Sequence, residues 1–550
     1  MTRKIIIIGG VAGGASCAAR LRRLCEKDEI ILFEKGEYIS FANCGLPYYI
    51  GDIIKSRDSL LVTTSDKFKK RFNIDVRNRS EVIKINRDKK EVKVCNLENA
   101  SEYTEKYDYL VLSPGAMPVR PNMPGIDDDL IFTLRTVPDA DKIKQHIQTK
   151  APKNVVVVGG GFIGLEMAEN FVGQGLDVTI VEKMNQVMPV LDYDIANHVS
   201  KYMAKNGVKF ILGTGISGFE KKGDKLFVML EDGSKIETDF AVLCIGVRPD
   251  TILARDAGID VEKNGAIKVD RYLKTNDPNI FAIGDAVIIS NPIVGTQWGV
   301  ALAGPANKQA RVVADIINNM DEEYQGAIGT SIVKIFDRSV ASTGCSESYL
   351  KKNNIKYEKS FIYANDHASY YPDAQQMLVK LIFDPIDGKL LGAQAFGKQG
   401  VDKRIDVIAS LIKQGKTTQD LKDLDLAYAP PYGSAKDPVN IAGCVADNIV
   451  NEKVVVCHWH DVEGFQKDKD KNMILDVRTE KEYSKGTIEG AINIPIDELR
   501  ERLNEVPKNK RIVIFCRVGL RGYIAYRILA QNGYDAVNLS GGYLLYKQAC

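Results

Sequence analysis

The chain has 550 residues, 45% of them hydrophobic, with 74 lysines and arginines against 72 aspartates and glutamates. That length exceeds what one core supports and predicts about three or four domains, while the near-balanced charge excludes bulk attraction to nucleic acid or to a membrane surface. Ten cysteines over such a length do not make a disulfide framework, and no apolar run approaches the roughly 18 residues of a membrane span, so the expectation is a cytoplasmic chain with reduced thiols and no secretory leader.

Lys4 to Ile8 reads as a buried strand, followed by Gly9-Gly10-Val11-Ala12-Gly13-Gly14, an apolar helical stretch, and a strand from Ile30 to Phe33 ending in Glu34. Strand, glycine turn, helix, strand and acid is the order of a dinucleotide fold. The turn lets backbone approach a pyrophosphate at a helix N-terminus, and Glu34 can accept ribose hydroxyls. Val11 stands where the middle glycine usually lies, so this fingerprint is imperfect. On the helix, Ser16, Arg20 and Arg23 share one face and Cys17, Leu21 and Leu24 another. The arginines fit either a phosphate grip or a solvated surface, and the basic run Lys67 to Arg71 is open in the same way.

Ser40-Phe41-Ala42-Asn43-Cys44-Gly45-Leu46-Pro47-Tyr48 then sets one cysteine among small and turn-forming residues, and the next cysteine is Cys95. With no second cysteine close by, a reactive Cys44 must pair with a small thiol brought to it or cycle through sulfenic acid. The plain alternative is a buried inert thiol. Short strands run from Val82 to Leu112 and close with Ser113-Pro114-Gly115, after which Pro118, Pro121, Pro124 and Gly125 mark a crossing to another domain.

A second and complete fingerprint begins at Val155 to Val158, with Gly159, Gly161 and Gly164 at the expected spacing, Glu166 on the helix, and a strand from Val178 to Val181 closed by Glu182. An acid there suits a free ribose 2′-hydroxyl and favours NADH, although the neighbouring Lys183 keeps NADPH possible. Two such units imply two dinucleotides, FAD in the first and NAD(P)H in the second, with electrons passing from nicotinamide to flavin to sulfur. Ile280 to Ala286 reads as a strand ending in Gly284-Asp285, suited to returning the chain to the flavin.

On these motifs the chain resembles the flavoprotein disulfide reductases that bind two dinucleotides, and Ser40 to Tyr48 resembles their single-cysteine branch, which contains coenzyme A-disulfide reductase. The resemblance covers residues 1 to about 445. It implies an FAD-binding domain (1–115 and 270–325), an NAD(P)H-binding domain (116–269) and an α+β domain (326–445) that makes a homodimer. It assigns Gly9, Gly10, Ala12, Gly13, Gly14, Glu34, Lys35, Ser113, Gly115, Gly159, Gly161, Gly164, Glu166, Glu182, Gly284 and Asp285 to the dinucleotides. Ser16, Arg20, Arg23, Ser40, Asn43, Arg71 and Lys436 are assigned to coenzyme A. Tyr370 and Tyr428 would present hydroxyls near Cys44 of the other subunit, with Tyr371 and Tyr432 as competing candidates.

Residues 446–470, including Cys457-His458-Trp459-His460, read as a linker, with too few ligands for a zinc site. Beyond them, Met473 to Arg478, Gly490 to Pro495 and Ile512 to Phe515 read as strands, the last running into Cys516-Arg517-Val518-Gly519-Leu520-Arg521. A cysteine in a tight loop opening a helix, among backbone amides and arginines, is suited to holding anionic sulfur. This part resembles a rhodanese domain (471–550) with Cys516 as persulfide carrier and Arg517 and Arg521 as substrate contacts, although Thr487 stands where that family often has histidine.

The expected fold class is therefore α/β: two Rossmann-like domains, an α+β dimerisation domain and an α/β rhodanese domain. The expected activity is FAD-dependent NAD(P)H reduction of coenzyme A persulfide, polysulfide or coenzyme A disulfide through Cys44, coupled to the sulfur carrier Cys516. A second reading is an NADH oxidase or peroxidase using a Cys44 sulfenic acid; the peroxidases place histidine in the first glycine turn, where this chain has Ala12. A third is a sulfurtransferase or redox-sensing sulfur-binding module. No nucleic acid, membrane or metal is expected as a partner.

Overall fold

The computed structural model describes residues 2–550. The chain divides into two compact units, Met1–Asn185 with Gly207–Gly329, and Gln186–Asn206 with Thr330–Cys550.

The first unit holds two parallel five-stranded sheets. In the first the order is Ile280–Ala282, Tyr109–Leu112, Lys4–Ile8, Glu29–Phe33 and Asp75–Arg77. Ile5, Ile6 and Ile7 are wholly buried, so both faces of the central strand are covered, as a continuous apolar run requires in a parallel sheet. Ile6 lies between Ile31 and Leu110 in register. Ile280–Ala282 pairs with Tyr109–Leu112, which brings Gly284 and Asp285 back to the strand ends of the first nucleotide fold. The second sheet repeats the plan with Val208–Leu212, Asp177–Glu182, Asn154–Val158, Phe240–Leu243 and Ile131–Thr133. Each fold also carries a three-stranded antiparallel sheet, Ser80–Lys106 in the first and Ile216–Thr238 in the second.

The helix Ala12–Leu24 buries Cys17 and Leu21 completely. Arg22 is buried too, at 4% exposure, and its guanidinium donates to the carbonyls of Cys25, Glu26, Phe72 and Asn73. One buried charge thus satisfies the open carbonyl ends of two helices, which the sequence pattern did not indicate.

The second unit contains an antiparallel five-stranded sheet, Ser331–Ile335, Arg338–Gly344, Leu390–Gly397, Gln376–Phe383 and Glu358–Asn365, and a parallel one, Val456–Cys457, Ala536–Leu539, Arg511–Phe515, Asn472–Asp476 and Ile492–Asn493. One expected boundary is corrected here. Residues 446–470 are not a linker: they finish the helix Pro438–Val450, add the edge strand Val456–Cys457 beside Ala536–Leu539, and form the helix Val462–Lys467. Residues 186–206, in the expected NAD(P)H-binding domain between the paired strands Asp177–Glu182 and Val208–Leu212, group by contacts with this second unit: Asp192 and Asp194 accept from Lys380, which is wholly buried in the strand Gln376–Phe383.

Lys380 also meets Glu347 at 2.5 Å, and Glu347 in turn accepts from Lys359 at 2.7 Å and from the Tyr357 hydroxyl at 2.8 Å. Both lysines hold the Glu347 carboxyl well below its ordinary range, with Lys380 contributing most, whereas burial pushes Asp192 up. The Cys-His-Trp-His stretch ends near this cluster. His458 pairs with Glu358 at 2.9 Å and His460 lies 3.4 Å from Lys359.

Candidate active site

The two glycine turns are held by the same device. Gly9 has φ +98 and a side chain there would collide with Ser113 O; Gly159 has φ +106 and faces Cys244 O in the same way. Glu34 accepts the Gly10 and Gly36 amides at 2.8 and 2.7 Å, and Glu182 accepts the Gly160 and Met184 amides at 2.7 and 2.8 Å. Each acid at its strand end therefore fixes the turn from which the dinucleotide backbone would be held. Around Gly161 nothing lies within 4 Å of where a side chain would start, which leaves room for a pyrophosphate. Gly284 has φ +82 and donates to Gln309, and burial pushes the Asp285 carboxyl up against the opposing pull of Arg135. These residues fit two dinucleotides. Lys35 pairs with Asp250 at 3.0 Å, and Ser113 N donates to Ile8 O at 2.8 Å at the end of the central strand.

Cys44 sits in the middle of a single turn of 3-10 helix, Asn43–Gly45, that opens into Leu46–Ile50. The segment is anchored to the first glycine turn: Ser40, in the left-handed region at φ 47, donates its amide to Gly10 O at 2.8 Å and accepts from Val62 N at 3.0 Å. Cys44 is solvent-accessible and unbridged. Packing around its sulfur pushes the thiol up, and the negative charges of Glu166 and then Asp285 add to this. Glu166, on the helix Phe162–Gly173, accepts from the Tyr48 hydroxyl at 3.3 Å, and burial pushes it up to about 7. Tyr48 is raised as well, first by burial and then by the Glu166 charge. The structure thus joins Cys44, Tyr48 and Glu166; sequence spacing offered no signal for Tyr48. The Asn43 Oδ1 atom is buried without a partner among the described residues, leaving an acceptor free for a ligand.

The candidates for coenzyme A are only partly free. Ser16 donates to Asn307 and Arg20 Nε is bound to the buried Asp315 at 2.7 Å, while Arg23 and Arg71 are exposed. In the second unit Lys436 is exposed beside Asp437, which is clamped by the buried Arg404 at 2.8 Å. Tyr370 and Tyr428 are exposed, and their hydroxyls hydrogen-bond each other at 2.8 Å across 58 positions of sequence. That bond raises the Tyr370 phenol and distinguishes this pair from Tyr371 and Tyr432.

At the other sulfur, the strand Arg511–Phe515 delivers Cys516 into a loop closed by the helix Leu520–Gln531. Cys516 is 1% exposed, and its sulfur accepts the Gly519 amide at 3.1 Å. The loop is backed by Tyr543 N donating to Cys516 O and Leu544 N to Arg517 O. Arg517 projects outward, whereas Arg521 is locked on Glu482, nitrogen to oxygen, at 2.7 Å twice. Thr487 donates to Asp476 at 2.8 Å, and Asp476 also carries the fork of the buried Arg478. Among the described residues no helix is long and apolar enough to cross a membrane, and no three His, Cys, Asp or Glu side chains gather as metal ligands.

Comparison with known proteins matches residues 3–310 to the family model for pyridine nucleotide-disulphide oxidoreductases, residues 330–438 to the dimerisation domain of that family, and residues 461–549 to rhodanese-like domains. The chain is 37% identical over 448 residues to the coenzyme A disulfide reductase of Staphylococcus haemolyticus, covering 81% of this chain and all of that one. The reduced CoADR-RHD of Bacillus anthracis superposes with a TM-score of 0.98 at 50% identity, over 100% of this chain and 98% of that one. The NAD-dependent persulfide reductase of A. fulgidus superposes at 0.92 and 36% identity, over 99% and 100%. The chain belongs to the pyridine nucleotide-disulphide oxidoreductase family as a homologue of its coenzyme A disulfide reductases, an oxidoreductase extended by a C-terminal rhodanese domain.

Proposed function

We propose that this chain is an NAD(P)H-dependent reductase of coenzyme A-linked sulfane sulfur or disulfide, working through Cys44, with Cys516 as its sulfur carrier. The observation that carries this reading is Cys44 itself: an accessible, unbridged thiol on a turn tied to the first glycine cradle, beside an acid poised to exchange protons near neutral pH. The names of the relatives, coenzyme A disulfide reductase and persulfide reductase, support the choice of substrate class.

When bound, FAD and the nicotinamide supply the two-electron reducing power. The chain does the rest. Cys44 as thiolate attacks the sulfur of a coenzyme A disulfide or persulfide, its new S–S bond forming as the old one breaks, and the leaving thiolate takes a proton. Glu166 and Tyr48 hold a proton next to that sulfur, and a neutral Glu166 removes a like charge that opposes the thiolate. The Tyr370–Tyr428 hydroxyl pair is a second proton-passing element, and Asn43 Oδ1 and Arg23 are contacts offered to the coenzyme. Cys516 holds sulfane sulfur under the Gly519 amide. The family's dimerisation domain supports a homodimer as the working form.

The test is anaerobic steady-state NADH oxidation with coenzyme A disulfide, coenzyme A persulfide or polysulfide, comparing wild type with Cys44→Ser and Cys516→Ser. Loss of all turnover in Cys44→Ser, and loss of persulfide-dependent hydrosulfide release in Cys516→Ser, are expected. Full turnover in Cys44→Ser would refute the reading.

A further inference from the structure

The loop that carries Cys516 contains two arginines in unlike situations. Arg517 is exposed and makes no ion pair among the described residues. Arg521, which lies against the Cys516 sulfur, gives Nη1 and Nη2 to the two oxygens of Glu482 at 2.7 Å each, a matched fork on a carboxylate. Glu482 is itself fixed: it closes a capping box with Thr479, accepting from the Thr479 amide at 3.1 Å and donating its own amide to the Thr479 hydroxyl at 3.3 Å. Arg521 first, and the Thr479 amide after it, bring the Glu482 carboxyl down to about 2 against the opposing effect of burial, so it is ionised at every working pH. Both partners are about one-third exposed, at 30% and 31%, so a substrate anion could reach the pair.

Two consequences follow from this arrangement. The nitrogens with which Arg521 would grip the oxygens of an oxyanion are already occupied, and its charge is balanced by Glu482 on the helix Glu480–Tyr483. We propose that Glu482 is a positioning residue that sets donor selectivity at Cys516, favouring a singly charged organic persulfide over the oxyanion donor thiosulfate. The inference rests on the reading of Cys516 as a sulfur carrier.

The transfer is balanced without an added oxidant. The Cys516 thiolate attacks the outer sulfur of R–S–SH, the new Cys516 S–S bond forms as the donor S–S bond breaks, and R–S⁻ leaves with the electron pair. From thiosulfate the leaving group is sulfite, which departs with both negative charges. That developing dianion needs a free guanidinium fork at the loop mouth, and only Arg517 remains to provide one.

The experiment uses the full-length protein in a Cys44→Ser background, reading the gain of one sulfur on the Cys516 peptide by mass spectrometry in single-turnover mixing. The donors are N-acetylcysteamine persulfide and thiosulfate. The expected result is loading from the persulfide at least about tenfold faster than from thiosulfate, with Glu482→Gln raising the thiosulfate rate roughly tenfold through the unmasked Arg521 charge. The pH midpoint of Cys516 alkylation should fall in Glu482→Gln, since an uncompensated guanidinium favours the thiolate. Glu482→Asp, which keeps the charge, should keep the wild-type preference.

Equal loss of both donor rates in Glu482→Gln, with the alkylation midpoint unmoved, would make Glu482 a merely structural cap and overturn the inference. Wild type loading as fast from thiosulfate as from the persulfide would overturn it even if the variant did not fold. No loading of wild type from either donor would overturn the sulfur-carrier reading beneath it, a failure distinct from the other two.

Discussion

A preference for NADH is expected from Glu182 and Lys183 at the end of the strand Asp177–Glu182, together with Glu231 after the strand Lys225–Leu230. Glu182 is half-buried and fixed by the Gly160 and Met184 amides, so its charge cannot turn away from an adjacent ribose. Lys183, which would otherwise welcome a 2′-phosphate, is paired with Glu231 at 2.8 Å. Taking ~5 Å between the Glu182 carboxylate and a phosphate bearing about −1.5 charges, and an effective dielectric of ~60 for this rim, the repulsion is about 1.7 kcal/mol, or roughly twentyfold. NADH is therefore expected to exceed NADPH by roughly that factor in kcat/KM, measured as initial rates against one sulfur substrate at moderate ionic strength. Glu182→Gln should remove most of the difference while keeping an acceptor for one amide. Lys183→Ala should change NADPH use by less than about twofold, because an exposed pair of this kind is worth little. Equal use of both cofactors by wild type, or a large loss of NADPH activity in Lys183→Ala, would refute the reasoning.

At Cys44, Glu166→Gln removes the first of the two charges that oppose the thiolate, so the pH midpoint for alkylation of Cys44 should fall by up to about one unit; an unchanged or higher midpoint would count against it. In the second unit, Lys380→Met leaves Asp192, Asp194 and Glu347 facing one another without their shared cation, which should cost about 3–5 kcal/mol in denaturant unfolding at pH 7. The sign with pH should also reverse: in wild type the depressed Glu347 contributes stability above the ordinary carboxylate pKa that is lost on acidification, whereas in the variant the unpaired carboxyls are raised and acidification from pH 7 should recover part of the loss. Tyr428→Phe should bring the Tyr370 phenol back down toward its ordinary titration and lower reductase turnover by roughly tenfold or more, and the double variant with Tyr370→Phe should be no worse than either single one if the two hydroxyls act together.

What could be read in the sequence was chemistry carried by contiguous residues. Gly9 to Gly14 followed by Glu34, Gly159 to Gly164 followed by Glu182, and Cys516 at the end of an apolar strand each state a local backbone need, and the structure meets it with the same strand, turn and helix. The Glu34 and Glu182 carboxylates also brace the turns, a role that no spacing in the sequence carries. Contacts between distant segments were not legible. Lys380 sits in an apolar run, Gln-Met-Leu-Val-Lys-Leu-Ile-Phe, and nothing in that pattern points to Asp194, 186 positions earlier. Val456–Cys457 reads as linker in the sequence because a two-residue edge strand has no periodicity; it exists through pairing with Asn538 and Leu539. Glu482 and Arg521, 39 positions apart, carry no sequence signal of their pairing for the same reason.

The surroundings of the two sulfurs differ in a way that bears on their chemistry. Cys516 receives the Gly519 amide on its sulfur, with the Glu482-paired Arg521 beside it, a setting suited to an anionic terminal sulfur held by a backbone donor. Cys44 instead faces acids, and its ordinary resting form is the thiol. Because charges on Cys44 and Glu166 oppose each other, a thiolate at one favours a proton on the other, and Glu166 near 7 can accept that proton where a carboxyl of ordinary pKa would stay ionised. On the proposed function, attack by Cys44 would thereby be linked to protonation next to it, and the same proton would remain close to the sulfur when a thiolate has to leave.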